Sequence, residues 1–188
     1  MDQAQPDVAA SEKAPVPLAH EGWRPQRGIS YIWSIGDRKG WSLFRHCCAI
    51  VLSSWTLAQV LGRFVYAVFP GPESLNTFES GWRNIFMAVA LMPFAETFLM
   101  RMFFVVLRRF SQKPITLSLL SAILWWFLHL PTETWGLHAL WLFFVLSLCY
   151  LSLEKISAWR AVWVTALMHA ACNALSWAAS LIVHFLAT

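Results

Sequence analysis

Charge is what this 188-residue chain has least of: 13% of its residues are Asp, Glu, Lys or Arg, against about a quarter in soluble domains. With 58% hydrophobic residues and a mean hydropathy of +0.54, the shortage points to lipid as the solvent. Other absences narrow the chemistry. Every aspartate (Asp2, Asp7, Asp37) precedes the first apolar run, so an intramembrane aspartyl dyad is excluded. No H-E-x-x-H supplies a zinc-protease helix, and no G-x-S-x-G supplies a serine nucleophile. The cysteines Cys47, Cys48, Cys149 and Cys172 form neither C-x-x-C nor a His/Cys finger spacing. They read as small buried apolar residues, with acylation of the neighbouring Cys47 and Cys48 as the lesser alternative.

What is present is a series of long apolar runs. The polar stretch 1–40 reads as a largely disordered cytoplasmic tail, and within it Gly28–Gly40 reads equally as a linker or as an interfacial piece anchored by Tyr31 and Trp33. About five spans follow, near Trp41–Phe69, Trp82–Leu107, Pro114–Leu130, Gly136–Leu153 and Ser157–Ala187. Pro70-Gly71-Pro72 and the stretch from Pro131 to Gly136 punctuate them. The fold class expected is an all-α polytopic transmembrane helix bundle, with a four-helix core over 82–187. No signal peptide is visible, so the first apolar run would serve as an uncleaved anchor.

The pI near 9.1 does not signal nucleic acid, because the basic residues sit beside the runs and form no aromatic-interleaved basic face. Lys13, Arg24, Arg27, Arg38, Lys39 and Arg45 precede or open the first run, Arg108, Arg109 and Lys113 separate the second from the third, and Lys155 and Arg160 flank the fifth. The positive-inside bias then puts the N-terminus in the cytoplasm, and a bacterial inner or plasma membrane is the location expected. Trp82, Trp135 and Trp159 at run ends fit an aromatic belt.

Glu96 lies inside the apolar run from Asn84 to Leu107, where an ionised acid is costly and marks function. His129 and His169 lie in later runs, and Asn173 follows His169 at i+4, on the same helical face. At 1.5 Å per residue, Glu96 stands roughly 18 Å from the basic end and His129 about 22 Å, with His169 and Asn173 at about 16 and 22 Å. Runs of alternating direction therefore place the four groups in one layer. Arg101 is i+5 from Glu96, turned too far around the helix for a direct pair. His20, His46, His138 and His184 read as interfacial residues. The clusters Trp125–Phe127 and Trp141–Phe144 read as packing or lipid-facing surface, with a cavity wall at Trp125 or Trp126 as a minor alternative.

Three pieces resemble the signature of the CPBP (Abi) family of intramembrane glutamic endopeptidases, which includes CAAX prenyl proteases: E-E-x-x-x-R, F-x-x-x-H and H-x-x-x-N/D on successive helices. Here they stand as Glu96-Thr97-Phe98-Leu99-Met100-Arg101, Trp125-Trp126-Phe127-Leu128-His129 and His169-Ala170-Ala171-Cys172-Asn173. Thr97 replaces the second glutamate and Trp125 the phenylalanine. The resemblance implies a peptidase acting on a membrane-associated peptide or protein. In it Glu96 and His129 activate water, His169 and Asn173 stabilise the oxyanion, and Arg101, Thr97 and Trp125 support them. No cofactor is expected. The alternative is zinc on Glu96, His129 and His169, a ligand set with an open position. Two non-peptidase readings also stand: a non-catalytic member acting by protein contact, for which Thr97 speaks, and an ion or proton pathway.

Overall fold

A computed structural model describes residues 27–68, 82–129 and 137–187. The expected tail 1–26, the Pro70–Pro72 turn and the Pro131–Gly136 turn lie outside these residues. Among the described residues all regular structure is helical. In hydrocarbon the backbone must satisfy its own polar groups, and a helix does so within one segment. The order is α1 (Arg27–Trp33), a 3-10 turn (Ser34–Asp37), α2 (Gly40–Val68), α3 (Trp82–Phe86), a π turn (Met87–Leu91), α4 (Met92–Leu107), α5 (Pro114–His129), α6 (Leu137–Glu154) and α7 (Ala158–Ala187).

Among the described residues four helices are long and apolar enough to cross a membrane: Gly40–Phe64, Arg83–Leu107, Leu137–Glu154 and Ala158–Val183. The chain is thus a multi-pass membrane protein. The third expected span, Pro114–Leu130, corresponds to α5, a shorter apolar helix whose described residues end at His129. Its 16 described residues make about 24 Å of helix.

α6 is the central stave. It is apolar on all sides, 67% of its residues are buried against 22% in the other three long helices, and it packs on α5, α7 and α2. Small hydroxyl residues let α5 and α6 approach: the Ser147 hydroxyl lies 3.0 Å from that of Ser121 and 3.3 Å from the Met100 sulfur of α4.

The basic ends of the helices meet at one end of the bundle. Arg108, after α4, pairs with Glu154, which closes α6. Arg160, opening α7, donates to the carbonyl of Arg38, just before α2. Here α1 and the 3-10 turn depart from the polar tail expected of 1–40. Ile35 is fully buried, and the N–H of Gly36 donates to the Ser152 hydroxyl at 3.2 Å, which in turn donates to the carbonyl of Trp33. A Cβ at Gly36 would lie 2.6 Å from the Ser152 carbonyl oxygen, so only glycine fits. The turn into α2 is made by Gly40 at φ +51°. His46, expected at an interface, is buried instead, and its Nε2–H donates to the Tyr31 carbonyl at 2.7 Å. The Lys155 ammonium sits 3.7 Å from the centre of the Trp33 ring. Burial lowers the pKa of that lysine, and Asp37 opposes the shift.

Candidate active site

Glu96, His129 and His169 come from three helices and meet inside the bundle. α4 offers Glu96 one turn beyond Pro93, its second residue, and α5 offers His129 as its last described residue. α7 offers His169 from its middle. His129 Nε2 is 4.0 Å from Glu96 Oε1, and His169 Nδ1 is 3.4 Å from Glu96 Oε2. The Glu96 side chain keeps 15% of its surface exposed and that of His169 5%. His169 Nδ1 is close to the carboxylate yet lacks hydrogen-bond geometry to it.

The orientation of His129 is fixed from behind. Its Nδ1–H donates to the Trp125 carbonyl at 2.9 Å. A carbonyl only accepts, so the neutral ring carries its proton on Nδ1 and presents an unprotonated Nε2 to Glu96. Trp125 is buried and stacks on Phe143 with ring centres 4.2 Å apart and planes 10° apart. Phe143 also lies 5.5 Å from the His129 ring and meets the His169 ring edge-on at 5.1 Å. Phe143 is thus the apolar wall shared by both imidazoles. Only the packing of α6 reveals it, since an all-apolar helix carries no sequence signal for the face that lines a site. Phe127, from the same cluster as Trp125, is exposed.

Asn173 takes a different contact. Its Nδ2 donates to the carbonyl of Ala88, in the π turn ahead of α4, at 2.8 Å. That bond ties α7 to the segment leading into Glu96 and engages one of the two amide hydrogens, so the other has a set direction. The motif's Thr97 is buried at 1% exposure, and Arg101 is half-buried. Among the described residues Arg101 forms no ion pair with Glu96. His138, expected at an interface, lines a cavity with Ala58, Gln59, Gly62 and Arg63.

The residues that would ligate zinc are the same Glu96, His129 and His169. Among the described residues no three His, Cys, Asp or Glu side chains stand in an arrangement that holds a metal ion. The arrangement on the page is a carboxylate between two imidazoles on an aromatic floor. Such a set can take a proton from water and hold the resulting charge.

Residues 78–175, which contain all three motifs, match the family model described as Rce1-like, Type II CAAX prenyl endopeptidase. No curated protein and no solved structure matches the chain.

Proposed function

The chain belongs to the Rce1-like family of type II CAAX prenyl endopeptidases, and from that premise we propose that it hydrolyses peptide bonds with water activated by Glu96. The observation that carries this reading is the Glu96 carboxylate held 4.0 Å from His129 Nε2 and 3.4 Å from His169 Nδ1.

In the proposed reaction a water lies between Glu96 and His129 and loses a proton to the carboxylate as its oxygen attacks the scissile carbonyl carbon. His129 Nε2, unprotonated because Nδ1 is spent on the Trp125 carbonyl, accepts a hydrogen bond from that water and orients it. The carbonyl becomes a tetrahedral oxyanion, which takes hydrogen bonds from the His169 ring and from the second N–H of Asn173. The carbon–nitrogen bond then breaks as the proton on Glu96 passes to the leaving nitrogen. The π turn and the Ala88 carbonyl aim the Asn173 amide, Trp125 and Phe143 hold the imidazoles, and Arg101 is structural. No step uses a metal.

The proposed substrate is a membrane-associated peptide or protein reached from within the bilayer of a bacterial inner or plasma membrane. The proposed topology puts the end bearing Arg38, Arg108, Lys155 and Arg160 in the cytoplasm.

Glu96→Gln and Glu96→Ala should each lower cleavage about a hundred- to ten-thousand-fold. The assay compares membrane-protein termini by proteomics in cells carrying wild type or variant, then uses purified protein on the peptide so found. Unchanged cleavage in Glu96→Gln would favour a scaffold acting by contact. Loss of wild-type activity on chelation, with stoichiometric zinc in the purified protein, would move the mechanism to a metal.

A further inference from the structure

Among the described residues the chain has three acids, Asp37, Glu96 and Glu154. Asp37 lies near Lys155, and Glu96 lies beside the two imidazoles. Arg101, on the helix that carries Glu96, forms no ion pair among the described residues. A charge inside an apolar span is costly without a counter-charge, and Thr97, one turn before Arg101, is neutral. Glu154 is the acid that remains.

Glu154 closes α6, and α4 meets α6 through long side chains. The Met100 sulfur lies 3.3 Å from the Ser147 hydroxyl, the Phe104 and Tyr150 rings are 5.4 Å apart, and Arg108 pairs with Glu154. Ser147, Tyr150 and Glu154 (i, i+3, i+7) share one face of α6, as Thr97, Arg101, Phe104 and Arg108 (i, i+4, i+7, i+11) share one face of α4. The order of these contacts sets Arg101 level with the stretch between Ser147 and Tyr150. The buried Tyr150 hydroxyl has no hydrogen bond of normal geometry, and it lies within range of the charges of Glu154, Arg101 and Arg108 alike. A phenol can donate to a carboxylate and accept from a guanidinium at once. Two guanidiniums therefore share one carboxylate.

We propose that Glu154 is the counter-ion of Arg101, linked to it by the Tyr150 hydroxyl, and that this charge relation between α4 and α6 positions Glu96. The inference rests on the peptidase reading and adds a positioning residue to it. Glu154 touches neither substrate nor the reacting atoms. It acts through Arg101 on the register of α4, and a shift of that helix would carry the Glu96 carboxylate away from His129 of α5 and His169 of α7.

The test is a charge transplant. Its readouts are kcat and KM on the peptide identified from membrane-protein termini, and the thermal unfolding midpoint in detergent. Glu154→Gln should lower kcat about ten- to a hundredfold, the scale of a small misplacement of a catalytic group, with KM little changed. Adding Thr97→Glu returns an acid to the same face one turn from Arg101, and should restore both kcat and the midpoint. Arg108→Gln should leave kcat near wild type. If Thr97→Glu does not fold in either background, the cycle of Arg101→Gln and Glu154→Gln decides, since the two together should cost no more than Arg101→Gln alone. Losses that simply add overturn the proposal, and so does wild-type kcat in Glu154→Gln. Arg108→Gln that matches Glu154→Gln, with no rescue by Thr97→Glu, also overturns it and assigns the effect to the direct pair with Arg108. Cleavage indifferent to Glu96 would sink the peptidase reading and the positioning role with it. The coupling of Arg101 to Glu154 in the unfolding midpoints would still decide the counter-ion assignment.

Discussion

At the scale of single residues, the departure at Thr97 has a physical meaning. The position is 1% exposed, so a carboxylate there would be a buried charge whose nearest partner along the helix is Arg101 at i+4. Leaving such a charge uncompensated costs about 3–5 kcal/mol. Thr97→Glu should therefore lower the thermal unfolding midpoint in detergent, and Thr97→Gln, similar in size but neutral, should lower it less. Equal losses would show that volume, not charge, limits this position. The threonine is thus compatible with an intact Glu96–His129–His169 cluster, because it removes a second negative charge next to the first. Glu96, His129 and His169 were legible in the sequence because ionisable groups in apolar runs are rare and their spacing from the basic ends agreed. Asn173 stood out in the sequence by its i+4 spacing from His169, but its bond to the Ala88 carbonyl did not, since a π turn leaves no mark in residue type.

At the scale of elements, helices came through because runs of apolar residues bounded by Pro, Gly and charge have no other low-energy form in lipid. The helix over Arg27–Trp33 did not, because the sequence around it is polar and its placement depends on one close approach of the following turn, Ile35 and Gly36, to α6. That approach gives a prediction. Gly36→Ala would push a methyl group against the Ser152 carbonyl oxygen, 2.6 Å away, at a cost of about 1–3 kcal/mol. The variant should show a lower unfolding midpoint and faster proteolysis between α1 and α2, with Glu96-dependent cleavage retained if α1 only braces the bundle. Wild-type stability in this variant would mean that the contact is not formed in the membrane. α6 posed the opposite problem. Its run is apolar on every side and gave no facing side, so Phe143 was hidden inside a run of residues that all looked alike.

At the scale of the whole molecule, the alternating helix directions inferred from charge are visible as Arg108 with Glu154 and Arg160 with Arg38 at one end of the bundle. The charge pattern therefore ordered the helices correctly, though it did not show which of them is central. That depended on α6 being shared by α5, α7 and α2.

The depth of the carboxylate has a consequence for the membrane around it. His129, the last described residue of α5, stands about 24 Å of helix from Pro114, in the outer part of a hydrocarbon layer of about 30 Å. Water would then reach Glu96 by the shorter way, from the far headgroups, and a thicker bilayer lengthens that way. Cleavage should therefore be fastest in vesicles of short-tailed lipids and slow as tails lengthen from fourteen to about twenty-two carbons, measured as kcat at saturating peptide. A rate indifferent to tail length would mean that water enters by another route. If tail length does set the rate, lipid thickness becomes a throttle on hydrolysis.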